Sequence, residues 1–400
     1  MGSPPRAHGA LMIGTASISG VADALAVTAD RQIRRIVNGL RLAAGLDRPG
    51  VGCTPRTVIW SRGRASLMHY TAGADAGRPP ILLVPSLINR SYIWDLRHGD
   101  SFVEHLLDAG YDVLCLDWGV PDARDAHNTM STYVDDYMMA AVAAATRRCA
   151  SVPIVIGHCF GGLIAVLWAA STAQQPPALI TLAAPTNWDE VGPLSWLTRQ
   201  GRIEPEDVLD ETGNVPPAAM LAAFRMIRPL GDLVTYVTLV DRLHDREATQ
   251  AIWALMVWAR GHIPFPGTTF VEMIRKLSRE NSLTTGKVAF GGRIRELSSI
   301  TAPFLNIYGS KDHVAPPESV KPLTGLIGST NAQERELNAG HIGLLIGSTM
   351  RTKTMPTILD WLEEALTPEQ ITRFSAPRPN NPESTRPRAE ANGVRPGVNR

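Results

Sequence analysis

Short apolar runs alternate along the chain with longer segments in which apolar residues recur every three or four positions. The runs, rich in Val, Ile and Leu, predict buried strands, and the longer segments predict helices that pack one face on a sheet. The predicted strands are a hairpin over Thr57–Tyr70 and then Ile81–Val84, Tyr111–Leu116, Val152–Ile156, Ala178–Ala183, Phe304–Tyr308 and Glu334–Leu337. The predicted helices are Phe102–Asp108, a helix capped by Ser131 that ends near Arg148, a helix after Gly162, and Met355–Leu366. This alternation indicates an α/β fold with a mostly parallel, doubly wound sheet.

The alternation stops over residues 186–298, which are rich in Trp, Met, Pro and Leu and have helical patterns around Ala218–Arg242 and Ala248–Trp258. This insertion is either a packing extension or a cap over an active site, and its place between two sheet strands favours a helical cap. Residues 51–185 and 299–370 then form the core. Residues 21–50 predict a surface helix docked on the domain, in preference to a helix that binds a partner. The composition of residues 1–20 and 371–400 predicts disordered ends.

Composition and charge exclude several classes of function. The chain has 400 residues and a formal net charge of +1, which gives no basis for binding nucleic acid. No apolar run approaches the ~20 residues that span a bilayer. Asp23 interrupts the moderately apolar segment Ala10–Ala29, so we expect neither a signal peptide nor a transmembrane helix. The four cysteines lack C-x-x-C spacing, which predicts reduced thiols in the cytoplasm and argues against a zinc site or disulfides.

The segment Val152–Ala170 carries the main chemical signal. An apolar run leads into Gly157-His158-Cys159-Phe160-Gly161-Gly162, and a helical pattern follows. A strand, a sharp turn with a central nucleophile and a helix are the context of the G-x-S-x-G nucleophile elbow, here with cysteine in place of serine. The start of the following helix also stabilises a thiolate. The alternative is a glycine-rich turn that serves packing or phosphate binding.

Two later loops supply the partners that a nucleophilic Cys159 needs. Asp312 follows the predicted strand Phe304–Tyr308, and His341 follows Glu334–Leu337. The order nucleophile, acid, base is that of α/β hydrolases, and each of the three residues lies just past a strand. We therefore predict His341 as the general base and Asp312 as the carboxylate that orients it, although each alone also fits a turn or a capping residue.

Other residues at the same sheet edge are candidates for supporting roles. The backbone N–H of Phe160, with one from the loop after the first parallel strand at Leu87, predicts an oxyanion hole. Asp117 and Trp118 end a strand, so they either line a pocket or anchor a loop. His313 follows the predicted acid and is a candidate either for the pocket or for a hydrogen bond within the turn.

At this point the chain resembles the polyhydroxyalkanoate (poly-3-hydroxybutyrate) synthase family of the α/β-hydrolase superfamily. It is most similar to the class III type, in which a short catalytic subunit works with an accessory subunit. The G-x-C-x-G-G box of that family matches Gly157–Gly162. The other similar segments are Leu87–Leu96 (L-V-N-R-x-Y-x-x-D-L), Asp117–Asp122 (D-W-G-x-P-D), Asn281–Gly286, Phe290–Arg293, Asn306–Pro317 and Gly340–Gly343.

The resemblance implies an acyltransferase with a Cys159–His341–Asp312 triad. Its substrates would be (R)-3-hydroxyacyl-CoA thioesters, which pass through an acyl-enzyme at Cys159 and release CoA, with no metal or other cofactor. The expected setting is the cytoplasm at the surface of polyester granules, with a second copy of the chain or an accessory synthase subunit as candidate partners. Two alternatives remain open from the sequence: a cysteine-dependent hydrolase or acyl-CoA thioesterase, and a catalytically inactive granule-surface scaffold.

Overall fold

A central eight-stranded sheet organises the chain in the computed structural model, which describes residues 18–47, 49–72, 78–198 and 202–366. Its strands are β1 (Thr57–Arg62), β2 (Ala65–Tyr70), β3 (Ile81–Val84), β4 (Val113–Asp117), β5 (Ile154–His158), β6 (Leu179–Leu182), β7 (Phe304–Gly309) and β8 (Ala332–Leu337). They lie in the order β1-β2-β4-β3-β5-β6-β7-β8. β1 and β2 are antiparallel to their neighbours, and the other strands are parallel. The prediction of a mostly parallel α/β sheet is confirmed.

The inner strands are buried on both faces because helices cover both faces, whereas the edge strands β1 and β8 are largely exposed or half-buried. All four residues of β3 are buried, with Leu82 and Val84 in one apolar cluster and Ile81 and Leu83 in the other. This division follows the alternation of side chains along a strand, and continuous apolar runs are typical of parallel strands covered on both sides. The predicted strand Val152–Ile156 lies two residues later, at Ile154–His158, and therefore runs up to the turn that carries Cys159.

Helices cover the sheet and extend beyond one of its edges. The helices labelled here are α1 (Ile18–Ala43), α2 (Phe102–Asp108), α3 (Met139–Cys149), α4 (Phe160–Ala169), α5 (Pro193–Thr198), α6 (Pro217–Ile227), α7 (Gly231–Arg242), α8 (Arg246–Ala259), α9 (Gly267–Glu272) and α10 (Met355–Ala365). Side chains of α3 and α4 belong to the first apolar cluster, and those of α2 and α10 belong to the second. Within the described ranges, no helix is both long and apolar enough to cross a membrane.

The helix predicted from Ser131 to near Arg148 consists of a π-helical segment, Thr132–Met138, that continues into α3. Its start differs from the prediction. Ser131 already has helical dihedrals and makes no capping hydrogen bond through its side chain. Thr129 caps instead, because its hydroxyl accepts from the N–H of Thr132 at 3.2 Å while the Thr132 hydroxyl accepts from the N–H of Thr129 at 3.1 Å. This reciprocal arrangement is that of a capping box.

The insertion between β6 and β7 contains α5 to α9 and a hairpin, Lys287–Phe290 with Arg293–Glu296. The single helical pattern predicted over Ala218–Arg242 is two helices, α6 and α7. The break falls at Arg228, whose ψ of 78° is not helical, because a residue that precedes proline disfavours the helical conformation. The insertion is tied to the core by hydrogen bonds such as Asn89 Nδ2 to the carbonyl of Trp258 at 2.9 Å.

The amino-terminal helix α1 docks on the insertion. Arg35 donates to the Asp241 carboxylate at 2.7 Å, and Asn38 donates to the carbonyl of Leu243 at 2.6 Å. Beyond these contacts, α1 and α7 expose many apolar side chains. These are Val27, Ile33, Ile36, Val37, Leu40, Leu233, Val234, Tyr236, Val237 and Val240. The prediction of disorder is wrong for residues 18–20, which begin α1 as part of its helical pattern, and for residues 1–17 and 371–400 it lies outside the described ranges.

Candidate active site

Cys159 occupies a strained turn between β5 and α4. Its φ of 55° and ψ of −126° lie in a region that residues other than glycine rarely adopt. The turn is held from both sides, because Cys159 N–H donates to the Leu182 carbonyl at 2.8 Å and Gly162 N–H donates to the Cys159 carbonyl at 2.9 Å. The side chain remains 8% exposed. The nucleophile-elbow conformation predicted from the sequence is therefore present.

The glycines beside Cys159 allow close packing of the turn. A Cβ at Gly161 would lie 2.2 Å from the carbonyl oxygen of Val84, and one at Gly157 would lie 2.6 Å from the Cα of Gly162. Both distances are well below van der Waals contact, so a side chain at either position displaces backbone. The packing at Gly161 also fixes the loop after β3 against the first turn of α4.

Asp312 and His341 come from the loops that follow β7 and β8. His341 Nδ1 lies 2.7 Å from Asp312 Oδ2, while Asp312 Oδ1 accepts hydrogen bonds from the N–H groups of Val314 at 2.8 Å and Ala315 at 2.9 Å. Cys159 and His341 line the same cavity, and Cys159 lies close enough to raise the pKa of the imidazole. The structure thus brings together, at the carboxyl edge of the sheet, the three side chains that were predicted from the sequence.

The electrostatics of this group favour a protonated imidazole. Burial alone lowers the pKa of His341, but the Asp312 carboxylate and Cys159 outweigh it and raise that pKa to about 10. Burial raises the pKa of Asp312, but His341 and the two backbone N–H groups outweigh that effect, so the carboxyl has a pKa below its ordinary value. Asp312 is therefore a carboxylate at neutral pH, and it stabilises positive charge on His341.

His158 is a second imidazole beside the first. Its ring lies 4.6 Å from that of His341, centroid to centroid, and its Nε2 is 3.4 Å from the His341 carbonyl oxygen. Burial, reinforced by the charge of His341, lowers the pKa of His158 to about 3. His158 therefore stays neutral wherever His341 is charged, and it packs edge-on against Trp94.

The predicted oxyanion donors lie on opposite sides of Cys159 in the sequence. Phe160 is the first residue of α4, where backbone N–H groups have no partner within the helix. Leu87 is in the loop after β3, and its side chain is buried in the core. Trp118 holds that loop by donating from Nε1 to the Pro85 carbonyl at 2.8 Å. The roles of Phe160 and Leu87 as oxyanion donors stay a prediction.

The three residues proposed for the pocket lie elsewhere. Asp117, Trp118 and His313 are not among the residues that line the two cavities next to Cys159. Trp118 packs edge-on against Tyr133 in the core, and Asp117 accepts from Gly119 N–H at 3.0 Å within a turn. His313 is exposed. The loop-anchor interpretation therefore describes Asp117 and Trp118 better than the pocket interpretation, while the hydrogen bond predicted for His313 within its turn stays a prediction.

Two cavities of different polarity meet at Cys159. The first, of about 450 Å³, has many apolar lining residues but also His341, His158 and four exposed arginines, Arg90, Arg225, Arg228 and Arg260. The second, of about 310 Å³, is lined almost wholly by apolar side chains of the insertion, among them Trp188, Met220, Phe270, Met273 and Ile274. Sequence reasoning missed the arginines, because three of them lie in the insertion and Arg90 lies in a loop far away in the sequence.

The comparison with known proteins agrees with the sheet order and the elbow. A family model described as alpha/beta hydrolase fold matches residues 79–348. The chain belongs to this family of α/β-hydrolase folds, with cysteine at the position of the elbow nucleophile.

Within that class the relatives are more specific. A model described as the poly-beta-hydroxybutyrate polymerase (PhaC) N-terminus matches residues 33–106. The poly(3-hydroxyalkanoate) polymerase subunit PhaC of Haloarcula marismortui is 30% identical over 329 residues, 79% of this chain and 69% of that protein. That of Haloferax mediterranei is 32% identical, over 78% of this chain and 65% of that protein. That of Allochromatium vinosum is 28% identical, over 83% of this chain and 94% of that protein. The chain therefore belongs to the poly(3-hydroxyalkanoate) polymerase PhaC family.

Proposed function

We propose that this chain is a polyhydroxyalkanoate synthase that polymerises (R)-3-hydroxyacyl-CoA thioesters through a thioester to Cys159. The relatives named as poly(3-hydroxyalkanoate) polymerases support the reaction class. The observation that carries the mechanism is the hydrogen-bonded pair His341–Asp312 in the same cavity as Cys159, at the point where that cavity meets an apolar one.

In the first step, Cys159 gives its thiol proton to His341, and the resulting thiolate attacks the thioester carbonyl of the substrate. A new S–C bond forms, the bond between the acyl carbon and the CoA sulfur breaks, and His341 gives its proton to the departing CoA thiolate. One thioester replaces another of similar energy, so the acyl group stays activated. Backbone N–H groups at Phe160 and Leu87 would stabilise the oxyanion of this step.

In the second step, the 3-hydroxyl group of an acyl unit attacks the acyl-enzyme. His341 takes the hydroxyl proton, the new C–O bond forms, the bond between the acyl carbon and the sulfur of Cys159 breaks, and His341 returns the proton to the departing thiolate. Asp312 holds Nδ1–H of His341, so Nε2 faces the reacting groups. The thiol and the imidazole supply this chemistry themselves, and we propose that the reaction uses no metal or redox cofactor.

The two cavities fit the two ends of the substrate. CoA carries phosphate groups, and the arginines around the first cavity supply charges that pair with phosphate. The second cavity excludes water from the acyl group, which protects the thioester from hydrolysis. The growing polyester is apolar, and we place the protein in the cytoplasm at the surface of polyester granules, with a second copy or an accessory synthase subunit as its protein partner.

A cysteine-dependent acyl-CoA hydrolase is the second candidate, because the basic cavity reaches His341 and could also admit water. Incubation of the purified protein with (R)-3-hydroxybutyryl-CoA separates the two. Free thiol, free 3-hydroxybutyrate and chloroform-soluble polymer are measured together, with Cys159→Ala as the control. Thiol release matched by polymer supports the synthase, and thiol release matched by free acid supports the hydrolase. Turnover by Cys159→Ala at the wild-type rate would rule out Cys159 as the nucleophile of both the synthase and the hydrolase.

A further inference from the structure

A second group of metal-ligand side chains lies at the opposite edge of the sheet from Cys159. His69 is on β2, Asp112 directly precedes β4, and Cys149 is the last residue of α3. One ligand atom from each of these residues lies within 4.8 Å of the ligand atoms of the other two. The side chains of His69 and Asp112 are 0% and 1% exposed, whereas Cys149 is partly exposed. The group therefore has one side open towards solvent.

The hydrogen bonding of His69 indicates a missing ligand. Its Nε2, the ring nitrogen beside Asp112, is 3.4 Å from Asp112 Oδ2, which is long for a hydrogen bond. An ion between this nitrogen and the carboxylate would give Nε2 a stronger partner, and it would leave Nδ1, which is buried without a hydrogen-bond partner in the described part of the chain, as it is. The contacts of His69 within the protein thus leave its imidazole poorly satisfied.

The chemistry of the three side chains fits zinc. Imidazole nitrogen, carboxylate oxygen and thiolate sulfur are its usual ligands, at about 2.0–2.3 Å, which places tetrahedral ligands roughly 3.3–3.7 Å from one another. The nitrogen–oxygen distance of 3.4 Å is already in that range. The carboxyl end of α3 also presents partial negative charge beside Cys149, which favours a cation.

We propose that His69, Asp112 and Cys149 bind a zinc ion, with water from the open side as the fourth ligand and with loss of the thiol proton of Cys149 on binding. The ion would join β2, the start of β4 and the end of α3, and would stabilise the contact between these three elements. The site is independent of the proposed catalytic reaction, because Asp112 and the catalytic residues lie at opposite ends of the parallel strands.

Cobalt(II) is the probe for this site, because a thiolate–cobalt bond gives a near-ultraviolet charge-transfer band and tetrahedral coordination gives intense visible bands. The catalytic cysteine, histidine and aspartate form a similar ligand set, so the full chain is tested as Cys159→Ala after treatment with a chelator. In that background, Cys149→Ser is compared with Cys53→Ser, which removes an exposed cysteine from another part of the surface.

In the Cys159→Ala protein and in its Cys53→Ser derivative, we expect one cobalt ion to bind per chain and one zinc ion to displace it. In the Cys149→Ser derivative, we expect the charge-transfer band to be lost. Zinc should also raise the melting temperature of the first two proteins and protect Cys149 from alkylation, which peptide mass spectrometry measures without any further variant. A folded Cys159→Ala protein that gives no charge-transfer band, or a Cys149→Ser derivative that retains it, overturns the proposal.

Discussion

Replacement of Asp312 by asparagine tests the candidate site most directly, because the surrounding hydrogen bonds determine how the amide must point. Asp312 Oδ1 accepts from the N–H groups of Val314 and Ala315, so the amide oxygen must take that position. The amide NH2 group then faces His341 Nδ1, which has to become an acceptor. The proton of the imidazole moves to Nε2, and a neutral His341 can no longer take a proton from Cys159 or from the substrate hydroxyl.

The expected loss is large in rate and small in stability. A wrong tautomer of the catalytic histidine lowers kcat by about 10³–10⁴, equivalent to roughly 4–5.5 kcal/mol of transition-state stabilisation. The Asp312–His341 contact survives with its donor and acceptor exchanged, so the free energy of unfolding should fall by no more than about 2 kcal/mol. Removal of the carboxylate also removes the main effect that raises the pKa of His341. The pKa of His341 should therefore fall, and the alkaline limb of the pH–rate profile should move to lower pH.

Initial rates of CoA release between pH 6 and 10 measure both effects, with thermal unfolding followed on the same samples. Asp117→Asn is the matched control, since that carboxylate lies outside both cavities and accepts a turn hydrogen bond from Gly119, and it should change the rate by less than about threefold. A folded Asp312→Asn enzyme within tenfold of the wild-type rate, or with an unchanged alkaline limb, would refute the reasoning.

Three further predictions concern the elbow, the second imidazole and the basic cavity. Gly161→Ala should lower CoA release by more than about 100-fold and destabilise the fold by roughly 1–3 kcal/mol, since its Cβ would lie 2.2 Å from a carbonyl oxygen; activity and urea unfolding measure this. His158→Phe should lower kcat by less than about tenfold and leave the acid limb of the pH–rate profile in place, because His158 is already neutral above about pH 4. Arg228→Ala should raise KM for the CoA thioester by about 3–30-fold with little change in kcat, because it removes a charge remote from the reacting atoms.

Controls within the chain make these outcomes specific. Gly325→Ala adds a methyl group where no atom lies within 4 Å, so it should leave both activity and stability nearly unchanged. If Gly161→Ala behaves in the same way, the close packing of the elbow is not required. Loss of the acid limb in His158→Phe would show that His158 titrates during turnover. For Arg228→Ala, an unchanged KM at low ionic strength, where charge interactions are strongest, would contradict the assignment of the cavity to CoA.

The sheet and the candidate site could be predicted from the sequence because their signals are local. Each buried inner strand is a short apolar run, and Cys159, Asp312 and His341 each follow a strand by one to four residues, although the strand before His341 is polar and partly exposed. The parallel sheet then brings the ends of these strands to one edge. The elbow glycines add a second signal, which is local for Gly157, packed on Gly162 of the same turn, and not for Gly161, packed on the carbonyl of Val84.

What could not be predicted depends on contacts between distant segments. The Ser131 cap was wrong because serine and threonine are both good capping residues, and only the partner hydroxyl of Thr132 selects Thr129. The arginines of the first cavity come from the loop after β3 and from the insertion, and no spacing along the chain connects them. The same holds for Cys149, whose proximity to His69 and Asp112 arises from the fold alone.

The position of Cys159 between two cavities explains how one thiol could serve repeated acyl transfer. If CoA departs through the arginine-lined cavity, the acyl group remains on the apolar side, where the lining leaves little water to compete with an incoming hydroxyl. The thioester bond suits this arrangement, because it preserves the activation of the substrate until a hydroxyl group arrives. The partition between polymer and free acid should therefore depend on the side chains that close the apolar cavity, such as Trp188 and Met273, more than on the triad itself. A polar substitution at Met273 would raise the share of free acid while leaving the rate of CoA release nearly unchanged.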